Sequence, residues 1–135
     1  MARTGRCLCG AIEFETELQS EDVGACHCSM CRKWSGGPYV EVQTGPLTFT
    51  KGEPTAYNSS DWAERLFCPT CGTHICYRTK DGSFHAVNAA AFDSPPTGTL
   101  ALEVFIDEKP DTYAFEGERK RMTGAEVMAA FAGND

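Results

Sequence analysis

Apolar and polar residues alternate through positions 11–15, Ala-Ile-Glu-Phe-Glu, which predicts a strand with Ile12 and Phe14 turned inward. Glu13, Glu15 and Glu17 then form its wet side at period two. Residues 38–44 and 47–50 are the next β-favouring runs, and Gly45-Pro46 between them is a turn pair. Residues 73–79 and 83–90 flank Lys80-Asp81-Gly82, where Asp-Gly signals a hairpin. Residues 100–106 are apolar and β-favouring, and Pro110 follows soon after as a stop. The helical period shows clearly at one place. Thr123 and Glu126 have capping-box spacing, Val127, Met128 and Phe131 give an apolar stripe, and Gly133 is the predicted end. A shorter helical turn is predicted after Ser29, ending at Gly36-Gly37. The fold class is therefore mainly β, with a short C-terminal helix.

The chain has 135 residues, 41% of them hydrophobic, which fits a single domain over 1–135. A core of that size is modest and calls for a staple. A formal charge of −7 argues against nucleic-acid binding, which needs basic residues to neutralise phosphates. No stretch approaches the ~20 apolar residues of a membrane span, and the first residues lack the apolar run of a secretory signal. The expected location is cytoplasmic, where thiols stay reduced and bind metal rather than pair.

Eight cysteines supply the staple, and their spacing says how. Cys7 and Cys9 stand two apart, so an extended backbone turns both to one side. Cys68 and Cys71 form C-x-x-C followed by Gly72, the pattern of a tight metal-binding knuckle. Cys26, Cys28 and Cys31 are gathered in one short loop. Two pairs make a closed four-thiolate site, Cys7, Cys9, Cys68 and Cys71, which ties the N-terminal strand to a distant loop. Three thiolates, Cys26, Cys28 and Cys31, make a second site with a fourth position left for a substrate or water. Zn²⁺ is the expected ion at both. The alternative is that both sites are structural, with His27, His74, His85 or Cys76 completing the second. His27 lies between two ligands and should point away, and Cys76 reads as a small buried apolar residue.

Three segments carry a resemblance. Residues 5–14 (GRCLCGAIEF), 26–36 (CHCSMCRKWSG) and 67–75 (FCPTCGTHI) resemble, in this order, the glutathione-dependent formaldehyde-activating (GFA) family, whose relatives include a centromere-associated protein. Residues 105–111 look like the family's closing strand. The resemblance implies a β-tent of several small antiparallel sheets stapled by zinc. It implies the same division of cysteines, with Cys26, Cys28 and Cys31 around a catalytic zinc. It also implies a carbon–sulfur lyase activity that joins glutathione to formaldehyde as S-(hydroxymethyl)glutathione.

On that reading glutathione's thiol becomes the fourth ligand at Cys26, Cys28 and Cys31 and is deprotonated there, ready to attack a small aldehyde. Its two carboxylates call for cations nearby. Arg32 and Lys33, next to Cys31, are the candidates by position, and Trp34 is a candidate apolar wall. The bland reading leaves Arg32 and Lys33 solvated and Trp34 in the core. Ser35, Tyr39, His74 and Asn88 are further, unranked candidates. Two other functions stay open: a non-catalytic thiol or glutathione carrier, and a structural zinc module for protein contacts.

Overall fold

A computed structural model describes residues 2–132. Eleven strands form in chain order: β1 (Arg3–Arg6), β2 (Glu13–Thr16), β3 (Val23–Cys26), β4 (Tyr39–Thr44), β5 (Thr48–Lys51), β6 (Thr55–Tyr57), β7 (Ala63–Phe67), β8 (His74–Thr79), β9 (His85–Asn88), β10 (Leu100–Val104) and β11 (Lys120–Met122). Two helices join them, α1 (Ser29–Ser35) and α2 (Gly124–Ala132). The protein is mainly β, as its alternating pattern predicts. A small antiparallel sheet has the order β1-β2-β5, and a larger sheet the order β11-β10-β3-β4-β9-β8-β7-β6. The larger sheet is antiparallel except at one edge, where β10 runs parallel to both β3 and β11.

Local chemistry sets the element ends. β2 begins at Glu13 because the Ile12 carbonyl is taken by the Cys7 amide, 3.1 Å away, closing the turn that carries the first cysteine pair. The Asp81-Gly82 turn joins β8 to β9 as expected, with the Asp81 carboxylate accepting from the Ser83 amide at 2.9 Å. α1 ends at Gly36, whose φ of 77° favours glycine and whose amide reaches the Arg32 carbonyl at 2.8 Å. The capping box of α2 is present in both directions. Glu126 N–H donates to the Thr123 hydroxyl at 3.2 Å, and Thr123 N–H donates to the Glu126 carboxylate at 2.9 Å. Its apolar stripe is only half covered, because Phe131 meets Phe84 edge-on while Met128 stays 50% exposed. The predicted stop at Gly133 lies outside the described residues. Residues 105–111 are not a strand: β10 ends at Val104, Phe105 takes φ 55°, and a 3-10 turn follows over Ile106–Glu108. A strand cannot continue through a left-handed residue.

Strand alternation divides the larger sheet into two faces with different cores. On one face Val42, Leu66, Cys76 and Val87 pack with Ile12 and Phe14 of the small sheet, and with Cys7 and Cys68. Gly5 is needed there, since a Cβ at that position would collide with the Phe14 ring and the Ala91 carbonyl. On the other face Tyr39, Ala86 and Tyr77 pack with Cys26, Cys28, Cys31 and Trp34. The two groups of cysteines thus belong to opposite faces of one sheet.

A buried ionic cluster closes the parallel edge. Glu103 on β10, 1% exposed, accepts from Arg119 at 2.7 Å, from Arg121 at 3.0 Å and from the His27 ring at 2.7 Å. The other ring nitrogen of His27 lies 2.9 Å from the Tyr113 hydroxyl. Burial pushes the Glu103 carboxyl up, but the hydrogen bonds from Arg119, His27 and Arg121 outweigh it and hold the group below its ordinary value. The resulting stability is complete above the unfolded carboxylate value and is lost as pH falls through the lower folded one. Glu103→Gln is therefore expected to cost about 2–4 kcal/mol at pH 7 in urea unfolding, because it takes the shared carboxylate from a largely buried Arg119 and a part-exposed Arg121. The variant should also lose less stability than the wild type between pH 7 and pH 3. Equal acid sensitivity in both would show that other carboxylates dominate.

Candidate metal centres and the adjoining cleft

Cys7 and Cys9 follow β1, and Cys68 and Cys71 lie in the knuckle between β7 and β8. All four sulfurs lie within 4.8 Å of one another. Cys9 Sγ is 3.6 Å from Cys7 Sγ and 3.8 Å from Cys68 Sγ. Backbone amides are aimed at the sulfurs: Ile12 at Cys7 (3.3 Å), and Thr70 and Cys71 at Cys68 (both 3.4 Å). The Thr73 hydroxyl and amide hold the Cys71 thiol down at about 5. Such donors suit sulfur that carries negative charge. The Leu8 amide also donates to the Thr73 hydroxyl at 3.0 Å, locking the two loops together. A closed set of four sulfurs with backbone amides aimed into it is a donor set that a tetrahedral ion such as Zn²⁺ fits.

The second cluster is built at the start of α1. Cys26 ends β3, Cys28 caps the helix by accepting from the Cys31 amide at 3.3 Å, and Cys31 lies in the first turn. Their three sulfurs also fall within 4.8 Å of one another, and among the described residues no fourth cysteine, histidine or carboxylate joins them. His27 is occupied with Glu103 and Tyr113 on the far side. His74 stacks on Trp34 at 4.1 Å, while His85 and Cys76 are buried in strands away from the cluster. Hydrogen bonds from Cys26 and Cys31 hold Cys28 low, as a thiolate, and the same contact with Cys28 pushes Cys26 well up. Three thiols this close share their charge, and a soft divalent cation is what allows all three to be thiolates.

The model of the glutathione-dependent formaldehyde-activating enzyme family matches residues 2–108. The chain belongs to the GFA family. It is 34% identical over 127 residues to an uncharacterized lyase of Schizosaccharomyces pombe, covering 92% of this chain and 93% of that one. Its fold is similar to the crystal structure of a Rhodobacter sphaeroides protein, with a TM-score of 0.59 and 28% identity over 67% of this chain and 88% of the other.

The surroundings of the second cluster in this GFA chain go beyond what spacing suggests. Arg65 on β7 is 4% exposed, and its Nη1 donates to Cys31 Sγ at 3.6 Å. The guanidinium lies between the Trp34 and Tyr77 rings, 5.0 Å from each centroid. Trp34, tilted against Tyr39 at 5.3 Å, carries the contact on to His74. Beyond it opens a cleft of about 630 Å³ whose lining includes Ser35, Tyr39, His74 and Asn88. Arg32 is half-buried and its Nε donates to the His27 carbonyl at 2.9 Å, while Lys33 is exposed on the same turn. Arg65 is absent from the sequence-derived candidates, whose cations, Arg32 and Lys33, are the chain neighbours of Cys31. Its place on the cluster's face follows from pairing, since Arg65 stands opposite Tyr77 of β8, and no hydrophobic alternation in residues 63–67 announces it.

The two clusters differ in what they connect, which gives a test. The four-thiol cluster joins β1 to a knuckle sixty residues away and lies against the main core, while the three-thiol cluster is local. Cys68→Ser is expected to lose roughly 3 kcal/mol or more, about 10 °C in Tm. Cys28→Ser should lose much less in the same thermal melt, and equal losses would contradict this division.

Proposed function

We propose that this chain is a zinc-dependent carbon–sulfur lyase-like enzyme that joins a thiol, glutathione or a relative of it, to a small aldehyde. The observation that carries the reading is the group Cys26, Cys28 and Cys31, three sulfurs without a fourth protein donor among the described residues, packed with Tyr39, which lines the cleft. Family membership and the lyase name of the yeast relative support the reaction class. In the reaction a sulfur–carbon bond forms, the carbonyl π bond opens, and the aldehyde oxygen takes up the proton that the thiol gives up.

Cys26, Cys28 and Cys31 would hold the catalytic ion, and Cys7, Cys9, Cys68 and Cys71 the structural one. Zinc bound by three thiolates would supply the deprotonation of an incoming thiol, the form that attacks carbonyl carbon. The chain's own residues do the rest. Trp34, fixed between Arg65 and His74, is a wall against which the thiol's carbon chain lies. Lys33 offers an exposed ammonium to glutathione's carboxylates, and Arg32 adds positive charge beside it. His74 has its pKa lowered by burial and by Arg65, so it is neutral near pH 7 and can exchange a proton in the cleft.

A reducing compartment such as the cytoplasm suits so many free thiols. No helix among the described residues is long and apolar enough to cross a membrane.

The decisive assay follows hemithioacetal formation from glutathione and formaldehyde against the uncatalysed rate. Acceleration by the zinc-loaded protein, abolished in Cys28→Ser, is expected. Binding of glutathione without acceleration would replace the enzyme by a thiol carrier. No binding at all would leave a structural zinc module.

A further inference from the structure

Among the described residues, Arg65 is the only lysine or arginine that is fully buried. Most half-buried arginines are held by a carboxylate, and half-buried Arg32 and Lys109 by backbone carbonyls. Arg119 and Arg121 meet Glu103, and Arg78 meets Glu64 at 2.8 Å. No carboxylate among the described residues pairs with Arg65. A guanidinium taken out of water without an anion is costly. The Trp34 and Tyr77 faces return part of this. The atom in contact with it that can carry a compensating charge is Cys31 Sγ, the hydrogen-bond acceptor of Nη1, in a cluster shared with Cys26 and Cys28. The burial of Arg65 is therefore matched to a cluster that bears negative charge.

Charge counting makes this specific. Three thiolates and a divalent ion carry a net charge of −1. A neutral fourth ligand, such as imidazole or water, leaves it there. A thiolate takes it to −2 inside a face shielded by Tyr39, Trp34 and Tyr77, which is costly unless a cation is already in place. We propose that Arg65 is the specificity-determining residue of the second cluster: its fixed, buried charge makes the site accept an anionic sulfur ligand in preference to a neutral one. The aromatic clamp suits this role. Held between two rings, the guanidinium keeps its charge beside Cys31 and cannot swing out to solvent, so the compensation is permanent rather than recruited on binding. The inference rests on the assignment of Cys26, Cys28 and Cys31 as a zinc site, and it extends that assignment from ligand geometry to ligand choice.

The test measures ligand affinity of zinc-loaded wild type, Arg65→Met, Arg65→Gln and Arg65→Lys by calorimetry, with 2-mercaptoethanol as the thiol and imidazole as the neutral ligand. Retention of zinc at the four-thiol cluster reports that each variant is folded, and Arg65→Gln serves if Met disturbs the packing. The neutral variants are expected to lose thiol affinity by about tenfold to a hundredfold, the weight of a charge-assisted hydrogen bond, with imidazole affinity within about threefold of wild type. Arg65→Lys should recover most of the thiol affinity. Equal loss for both ligands would make Arg65 a packing residue and overturn the proposal, as would no loss for either. Glutathione, run in parallel, separates the two readings. A wild type that binds 2-mercaptoethanol but not glutathione removes the glutathione assignment and leaves Arg65 standing. A wild type that binds glutathione as tightly as Arg65→Met removes Arg65 alone.

Discussion

The end of β3 is where the rest of the structure is decided. Successive residues of a strand point to opposite faces, so Cys26 sends its sulfur to one side while His27 sends its ring to the other. On the first side the sulfur meets Cys28 and Cys31, which the capped first turn of α1 returns to the same place. On the second side the ring is gripped by Glu103 and Tyr113. The loop that gathers three thiols is therefore pinned from behind by a buried ion cluster. Its partner strand β10 runs parallel to β3, which brings Glu103 opposite Ala25 and within reach of His27. A site of three sulfurs held this way can be well placed without a fourth ligand of its own.

The four-thiol cluster answers a different need. Much of β1 is polar and β5 is largely exposed, so the small sheet has little with which to bury itself beyond Ile12, Phe14 and Phe49. Fixing Cys7 and Cys9 to the Cys68–Cys71 knuckle holds that sheet against the larger one where apolar area is short. The same ion type would thus contribute stability on one face of the sheet and chemistry on the other, with the sheet between them.

Much of this was legible in the sequence, for physical reasons. Cysteine spacing is a strong signal because a tetrahedral ion tolerates few loop lengths, so both sulfur clusters were expected and both are assembled. The Asp81-Gly82 hairpin and the Thr123–Glu126 capping box are local and needed no tertiary knowledge. Strands β7 and β11 were not legible because their charged residues break the hydrophobic pattern, and β6 because three residues carry too short a pattern; neighbours supply the pairing of all three. Residues 105–111 failed for a different reason: their likeness to the family's closing strand suggested a strand, and the left-handed Phe105 ends it. At the site, chain neighbours of a ligand were easy to name and spatial neighbours were not. Arg32 and Lys33 follow Cys31 in sequence, yet the cation that reaches its sulfur is Arg65, thirty-four residues away.

The central claim is that two sulfur clusters on opposite faces each hold a zinc ion, independently of one another. Elemental analysis of protein purified without chelator, beside Cys28→Ser, tests it most directly. The account expects about two zinc ions per chain in the wild type and about one in the variant. One zinc in both would contradict the catalytic reading of Cys26, Cys28 and Cys31.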